Sequence, residues 1–225
     1  MHARAALPVL MLFAVLLAAC RAEPQAPRFP EADRPVAPIV SDRFSTEDAR
    51  DRLGEAEEVM AFAGIKAGMS VADIGAGSGW FTVRAAKRVG AKGKVFAVDI
   101  SEDAIKHINE RKQKENLPNI ETVLGKEDNP LLPKKKVDAV LILKTYHEIA
   151  QPVRLMKNLL PSLRKNALVG VIDRNGDDAS HGINRETVVE EMKRAGFFLV
   201  EEYDFVKGDG MDYLLIFQAE GRKGK

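Results

Sequence analysis

"VADIGAGSGW", residues 71–80, decides how the rest of the chain is read. Val71 to Ile74 is a short apolar run that includes one acid, Asp73, as in a buried strand. Gly75, Gly77 and Gly79 follow at alternate positions, and an amphipathic stretch starts at Trp80. A glycine turn between strand and helix puts backbone N–H groups and a helix N-terminus at the carboxyl edge of a sheet, where open parallel sheets bind ligands. The missing side chains are therefore expected to make room for a nucleotide-like molecule close to the backbone.

Outward from that loop, strands and helices alternate. Upstream, "STEDARDRLGEAEEVMAFAG" (45–64) reads as one helix, capped by Ser45 or Thr46, with Val59, Met60 and Phe62 toward a core. Downstream, Trp80 to Val89 is a helix and "KVFAVDI" (94–100) a second strand. Ser101 caps a helix running toward Asn116, and Pro118 stops it. "IETVL" (120–124) and "VDAVLIL" (137–143) are further strands, Pro152 opens a helix, and "ALVGVID" (167–173) is a fifth strand. Asn184 caps a helix that Gly196 ends. "FFLVEEYDF" and "MDYLLIFQ" then follow each other across "VKGDG", a link too short for anything but an antiparallel hairpin. Near-continuous apolar strands joined by helices imply an α/β fold, a doubly wound and mostly parallel sheet. One domain from residue 41 to 225 is expected.

Charge excludes little but favours nothing. Lysine plus arginine (34) nearly cancels aspartate plus glutamate (33), so no global field draws nucleic acid. Lys134, Lys135 and Lys136 read as a solvated turn. Cys20 is the single cysteine, which rules out an intrachain disulfide, and the scattered histidines, His2 and His107 among them, give no metal-ligand spacing.

Two details choose the ligand. A dinucleotide fingerprint wants glycine or alanine where Trp80 stands, so the fit to NAD is poor. Asp73 would also repel phosphates by roughly several kcal/mol at a partly buried site, whereas it suits a cation. Asp99, twenty residues after Gly79 at the end of the second strand, is placed to accept hydrogen bonds from ribose hydroxyls.

"VADIGAGSGW", "FAVDI" and "VDAVLIL" together resemble the successive motifs of class I S-adenosylmethionine-dependent methyltransferases, over roughly residues 50 to 220. The resemblance implies a Rossmann-like sheet of seven strands ending in an inserted antiparallel strand, and S-adenosylmethionine as cofactor. It implies that Asp73 and the loop Gly75, Ala76, Gly77, Ser78 and Gly79 face the methionine part, and that Asp99, with Ile100 beside it, binds the ribose. In "VLGKEDNPLLP" it selects Asp128 for the adenine amino group, with Glu127 second; an Asx-turn role for Asp128 is nearly as good.

The acceptor end of such a site lies after the fourth strand, here "KTYHEI" (144–149). This departs from the Asn or Asp, Pro, Pro, aromatic tetrad of enzymes that methylate nucleic-acid bases. For a hydroxyl or thiol acceptor, His147 is the expected base, or else a histidine that only caps the strand or bonds Glu148. Tyr146 lines the pocket or packs under the cofactor. Asp173, Arg174 and His181 lie on the same sheet edge and could touch a substrate, expected to be small or lipophilic.

The amino terminus carries a different message. Arg4 precedes fifteen uncharged residues, Ala5 to Ala19, with Cys20 completing "LAAC"; the run is too short for the ~20 apolar residues of a spanning helix but right for a secretory leader. Leu17 to Cys20 resembles the lipobox of bacterial lipoproteins, which implies a lipidated Cys20 and a membrane anchor in the cell envelope. Arg21 in place of an inner-membrane aspartate implies the outer membrane in a Gram-negative cell, and a misassigned start would instead leave the protein cytoplasmic. Residues 21–40, rich in proline, read as an extended tether that buries nothing. Export and a cofactor made in the cytoplasm disagree, which keeps two alternatives open: an exported, non-catalytic protein that binds a nucleoside-like ligand, and an NAD-dependent oxidoreductase.

Overall fold

The computed structural model describes residues 31–39, 47–176, 182–204 and 212–221. Expectations for the leader with Cys20, for Ser45 and Thr46 as caps, for His181 and for the "VKGDG" link fall outside those residues.

Seven strands form one sheet in the order β3-β2-β1-β4-β5-β7-β6. They are β1 (Ser70–Ile74), β2 (Lys94–Asp99), β3 (Ile120–Leu124), β4 (Val137–Leu143), β5 (Leu163–Arg174), β6 (Phe197–Tyr203) and β7 (Asp212–Ala219). The pairs from β3 to β5 are parallel, while β7 lies antiparallel between β5 and β6. The expected inserted antiparallel strand is thus present, and the sheet reverses order between β1 and β4.

Alternation along each strand feeds two cores, because successive side chains point to opposite faces. Val71, Val95, Ala97, Ala139 and Leu141 pack on one face with α2 (Glu55–Phe62) and α3 (Trp80–Val89), and Ile108 of α4 (Glu102–Lys114) joins them. Ala72, Phe96, Val98, Val140 and Ile142 face the other way, against α5 (Pro152–Leu159) and α6 (Arg185–Arg194). Burial on both faces explains why these strands read as continuous apolar runs.

Upstream of β1 the structure differs from the single helix expected over 45–64. There are two, α1 (Glu47–Arg52) and α2, because Gly54 adopts a left-handed φ of 63° and turns the chain between them. Residues 31–39 also differ from a tether that buries nothing: Ala37 is 4% exposed, and Arg34 forms an ion pair of 3.1 Å with Glu191 of α6. Among the described residues no helix is long and apolar enough to cross a membrane.

Candidate functional site

The carboxyl ends of β1, β2 and β4 converge on a cavity of about 540 Å³. Its floor is the loop from Gly75 to Ser78, tied to β2 by hydrogen bonds from the Gly75 and Ala76 amides to the Val98 carbonyl, 2.9 and 3.1 Å. The three glycines turn out to be bare for three reasons. A Cβ on Gly75 would stand 2.3 Å from Thr145 Cγ2, so this glycine, which also lines the cavity, makes room for the residues just past β4. Gly79, at a φ of 74°, starts α3, and a Cβ there would press on Ile108 at 3.1 Å. Only Gly77, with φ 52°, faces open space, with no heavy atom within 4 Å of where its Cβ would stand. Its bare surface forms part of the cavity wall.

Two carboxylates flank that loop. Asp99 accepts from the Gly77 amide through Oδ2 and from the Ser101 amide through Oδ1, both at 2.9 Å. It brackets the loop against the start of α4 and, because each oxygen has a second lone pair, keeps acceptor capacity toward the cavity it lines. Asp73, 2% exposed, accepts a 2.6 Å hydrogen bond from Thr82 Oγ1. Burial, with the charge of Asp99 adding to it, pushes the Asp73 carboxyl from its ordinary 3.8 up to about 6, against the opposing pull of Thr82 and Arg50. The site therefore holds excess negative character that a cation would relieve.

Arg50 was not singled out by sequence, because its position in α1 reads as one more charged residue on a helix surface. Its guanidinium lies 3.6 Å from the Trp80 ring centroid, bonds Glu55 at 2.6 Å and lines the cavity. The rest of α1 is fastened over the loop. Glu47 accepts from Arg111 at 2.6 and 2.9 Å and from the Ser78 hydroxyl at 3.1 Å, and Asp51 accepts from Trp80 Nε1 at 3.0 Å and from Arg84. Burial raises the Glu47 pKa, but the hydrogen bonds and charge of Arg111, with Ser78 and Arg84, outweigh it and hold it low. The Ser78 hydroxyl is thus committed to α1, although the residue borders the cavity.

Past β2, Ile100 lines the cavity and is 41% exposed. Gly125, Lys126 and Glu127 also line it, while Asp128 turns away into a 2.8 Å ion pair with Arg154. The resemblance implies Asp128 first and Glu127 second for the adenine, and nothing in the sequence shows that Arg154 of α5 reaches Asp128.

At the opposite end, β4 stops at Leu143, and Lys144 takes a left-handed φ of 53°, uncommon for a residue with a side chain. That twist starts a short turn over Tyr146–Glu148. Lys144, Thr145 and Glu148 line the cavity; Tyr146 and His147 do not. Tyr146 is fully buried, and burial together with the nearby Glu191 carboxylate drives its hydroxyl pKa well up. His147, 5% exposed, is held by Asp173: Nδ1 lies 2.7 Å from Oδ1, and the backbone amide donates to Oδ2 at 3.1 Å. With Nδ1 carrying the proton toward Asp173, Nε2 is the basic nitrogen, 3.9 Å from Glu148 Oε1. Asp173 thus holds His147 in place, and of this chain of groups Glu148 lines the cavity.

Residues 36–39 close the cavity across from that turn. The Ala32 amide donates to the Ala150 carbonyl at 2.9 Å and the Ala37 amide to the His147 carbonyl at 3.1 Å. Arg34 adds bonds to the carbonyls of Tyr146, His147 and Ile149 at 3.2 to 3.3 Å. Among the described residues, no group of three or more His, Cys, Asp or Glu could hold a metal ion.

Residues 65–204 match the family described as "Methyltransferase domain". The chain belongs to that methyltransferase family. Among curated proteins, the chain is 27% identical over 103 residues to the protein-L-isoaspartate O-methyltransferase of Pyrococcus horikoshii. That alignment covers 46% of this chain and 45% of the relative, so the likeness spans less than half of that protein's length. A solved S-adenosylmethionine-dependent methyltransferase of Aquifex aeolicus superposes with a TM-score of 0.66 at 24% identity, over 77% of this chain and 98% of that one. The cyclase SpnF also superposes with a TM-score of 0.66, at 16% identity, over 85% and 88% of the two chains. At such identities the structural likeness establishes the fold and leaves the substrate to the site.

Proposed function

We propose that this methyltransferase takes its methyl group from S-adenosylmethionine and gives it to a small or lipophilic acceptor bound between the β4 turn and residues 36–39. One observation carries the reading: Asp73, 2% exposed, stands at the edge of a bare backbone loop with a second carboxylate, Asp99, on the same cavity wall. A cationic ligand relieves that frustration, and a diphosphate would worsen it. Asp73 is suited to the amino acid's ammonium group and Arg50 to its carboxylate, Gly77 leaves space for the chain between them, and Asp99 offers acceptors to ribose hydroxyls. Ile100 and Glu127 border the adenine end. The cofactor supplies an electrophilic methyl group, so the protein's task is chiefly to align the acceptor and exclude water. For a hydroxyl or thiol acceptor, the proton passes to Glu148, with His147 and Asp173 behind it.

The test is calorimetric titration of the full chain with S-adenosylhomocysteine and, separately, with NAD. Micromolar binding of the first and none of the second is expected; the reverse overturns the assignment, as does no S-adenosylhomocysteine binding at millimolar concentration. We also propose, from "LAAC" at 17–20, that the chain is anchored in the cell envelope through Cys20. Mass spectrometry of the mature amino terminus should find a lipidated Cys20, and an intact Met1 terminus would refute the anchor.

A further inference from the structure

The family match begins at residue 65, yet part of the cavity wall comes from far upstream, from Val36, Ala37, Pro38 and Ile39. We propose that this strap is the specificity-determining wall of the acceptor site, and that it selects an uncharged acceptor with an apolar body. The inference rests on the methyl-transfer reading only in giving the bound molecule the name of acceptor.

The strap is fixed, not draped. Arg34 and Glu191, 8% and 6% exposed, pair at 3.1 Å, and the same guanidinium grips three carbonyls of the β4 turn. Together with the Ala32 and Ala37 amides it forms a seam along residues 146–150. Prolines at 35 and 38 fix φ on either side of Val36 and Ala37, which lowers the entropy lost in holding the strap in place. Val36, Pro38 and Ile39 of the strap line the cavity together with Ile149, just past the β4 turn, and Leu155 of α5, whereas Asp73, Asp99 and Arg50 line it beside the glycine loop. Lys144 and Glu148 are the charged lining residues of the β4 turn, where the methyl group would be received. A molecule fitting between turn and strap presents one polar group to the turn and hydrocarbon to the strap. The whole cavity, about 540 Å³, is of the order that holds one drug-sized ligand, so an acceptor sharing it is small or extends outward past Ile39, which is 53% exposed.

The probe is Nile red, a neutral apolar dye, titrated into the full chain with and without saturating S-adenosylhomocysteine. Wild type should bind one dye with enhanced fluorescence. Val36→Asp and Ile39→Asp should each weaken binding by about tenfold or more, since a carboxylate is placed against hydrocarbon. Leu53→Asp, at an exposed position off the cavity, should bind as wild type does. Ile39 is exposed enough that its variant should fold, which circular dichroism checks. Equal dye binding by wild type and Ile39→Asp overturns the proposal, as does failure of wild type to bind the dye. Failure of S-adenosylhomocysteine alone would sink the cofactor reading and leave the dye comparison, run without it, to judge the strap.

Discussion

Replacing Asp73 by asparagine should make the fold more stable while it damages cofactor binding. The folded-state pKa lies about two units above the ordinary 3.8, so between pH 3.8 and about 6 the folded chain keeps a proton that the unfolded chain has lost. Stability therefore falls as pH rises through that window, and above it the full cost is present. At about 1.4 kcal/mol per unit that cost is about 3 kcal/mol, with about half of it remaining at pH 5. Asparagine carries no charge to bury, and its amide oxygen can still accept the bond from Thr82. Urea unfolding should show the variant more stable by up to about 3 kcal/mol at pH 8 and by clearly less at pH 5. At ~2–4 °C per kcal/mol for a domain of this size, melting should rise by about 6–12 °C at pH 8. S-adenosylhomocysteine affinity should meanwhile fall by about tenfold or more, as expected for losing a hydrogen bond to a charged group. A variant that is less stable than wild type at pH 8, or whose gain is the same at both pH values, would refute the claim that burial of this charge is frustrated.

The other predictions are briefer. Binding of S-adenosylhomocysteine to wild type should weaken as pH drops through about 6, where Asp73 takes up a proton, and calorimetry from pH 5 to 8 would show a flat profile if Asp73 does not hold the ligand's ammonium. Gly75→Ala should cost about 3 kcal/mol in urea unfolding, through both the left-handed φ and the 2.3 Å approach to Thr145; Thr145→Gly in the same chain should recover only the steric part. Arg34→Met should cost about 3–5 kcal/mol by leaving Glu191 buried without its partner, and adding Glu191→Leu should restore most of it; no restoration would mean that the carbonyl contacts of Arg34 dominate.

Much of the fold was legible because its determinants are local. The boundaries of α3 at Trp80 and Val89, the four-residue core of β1 and the break at Gly196 follow from periodicity and from residues with special backbone freedom. The helix expected across 45–64 broke at Gly54 because a glycine inside a charged amphipathic stretch reads equally as a tolerated interior residue or a turn, and only packing of α1 onto Ser78 and Trp80 decides. At the site, Asp73 and Asp99 were readable as acids at strand ends. The reason for Gly75 was not, since Thr145 is seventy residues away and approaches only through the β1–β4 pairing. The same limit hid Arg34: a proline-rich stretch looks unstructured by composition, and its hold depends on Glu191 and on carbonyls of a turn more than a hundred residues on.

A side chain on Gly75 would occupy the space of Thr145, the first on the glycine loop after β1 and the second on the turn after β4. Such a joint has no slack: displacing the loop pushes directly on the strand end opposite. A bulkier residue at either position would need a smaller one or a moved backbone at the other, so the two walls of the cavity are geared together.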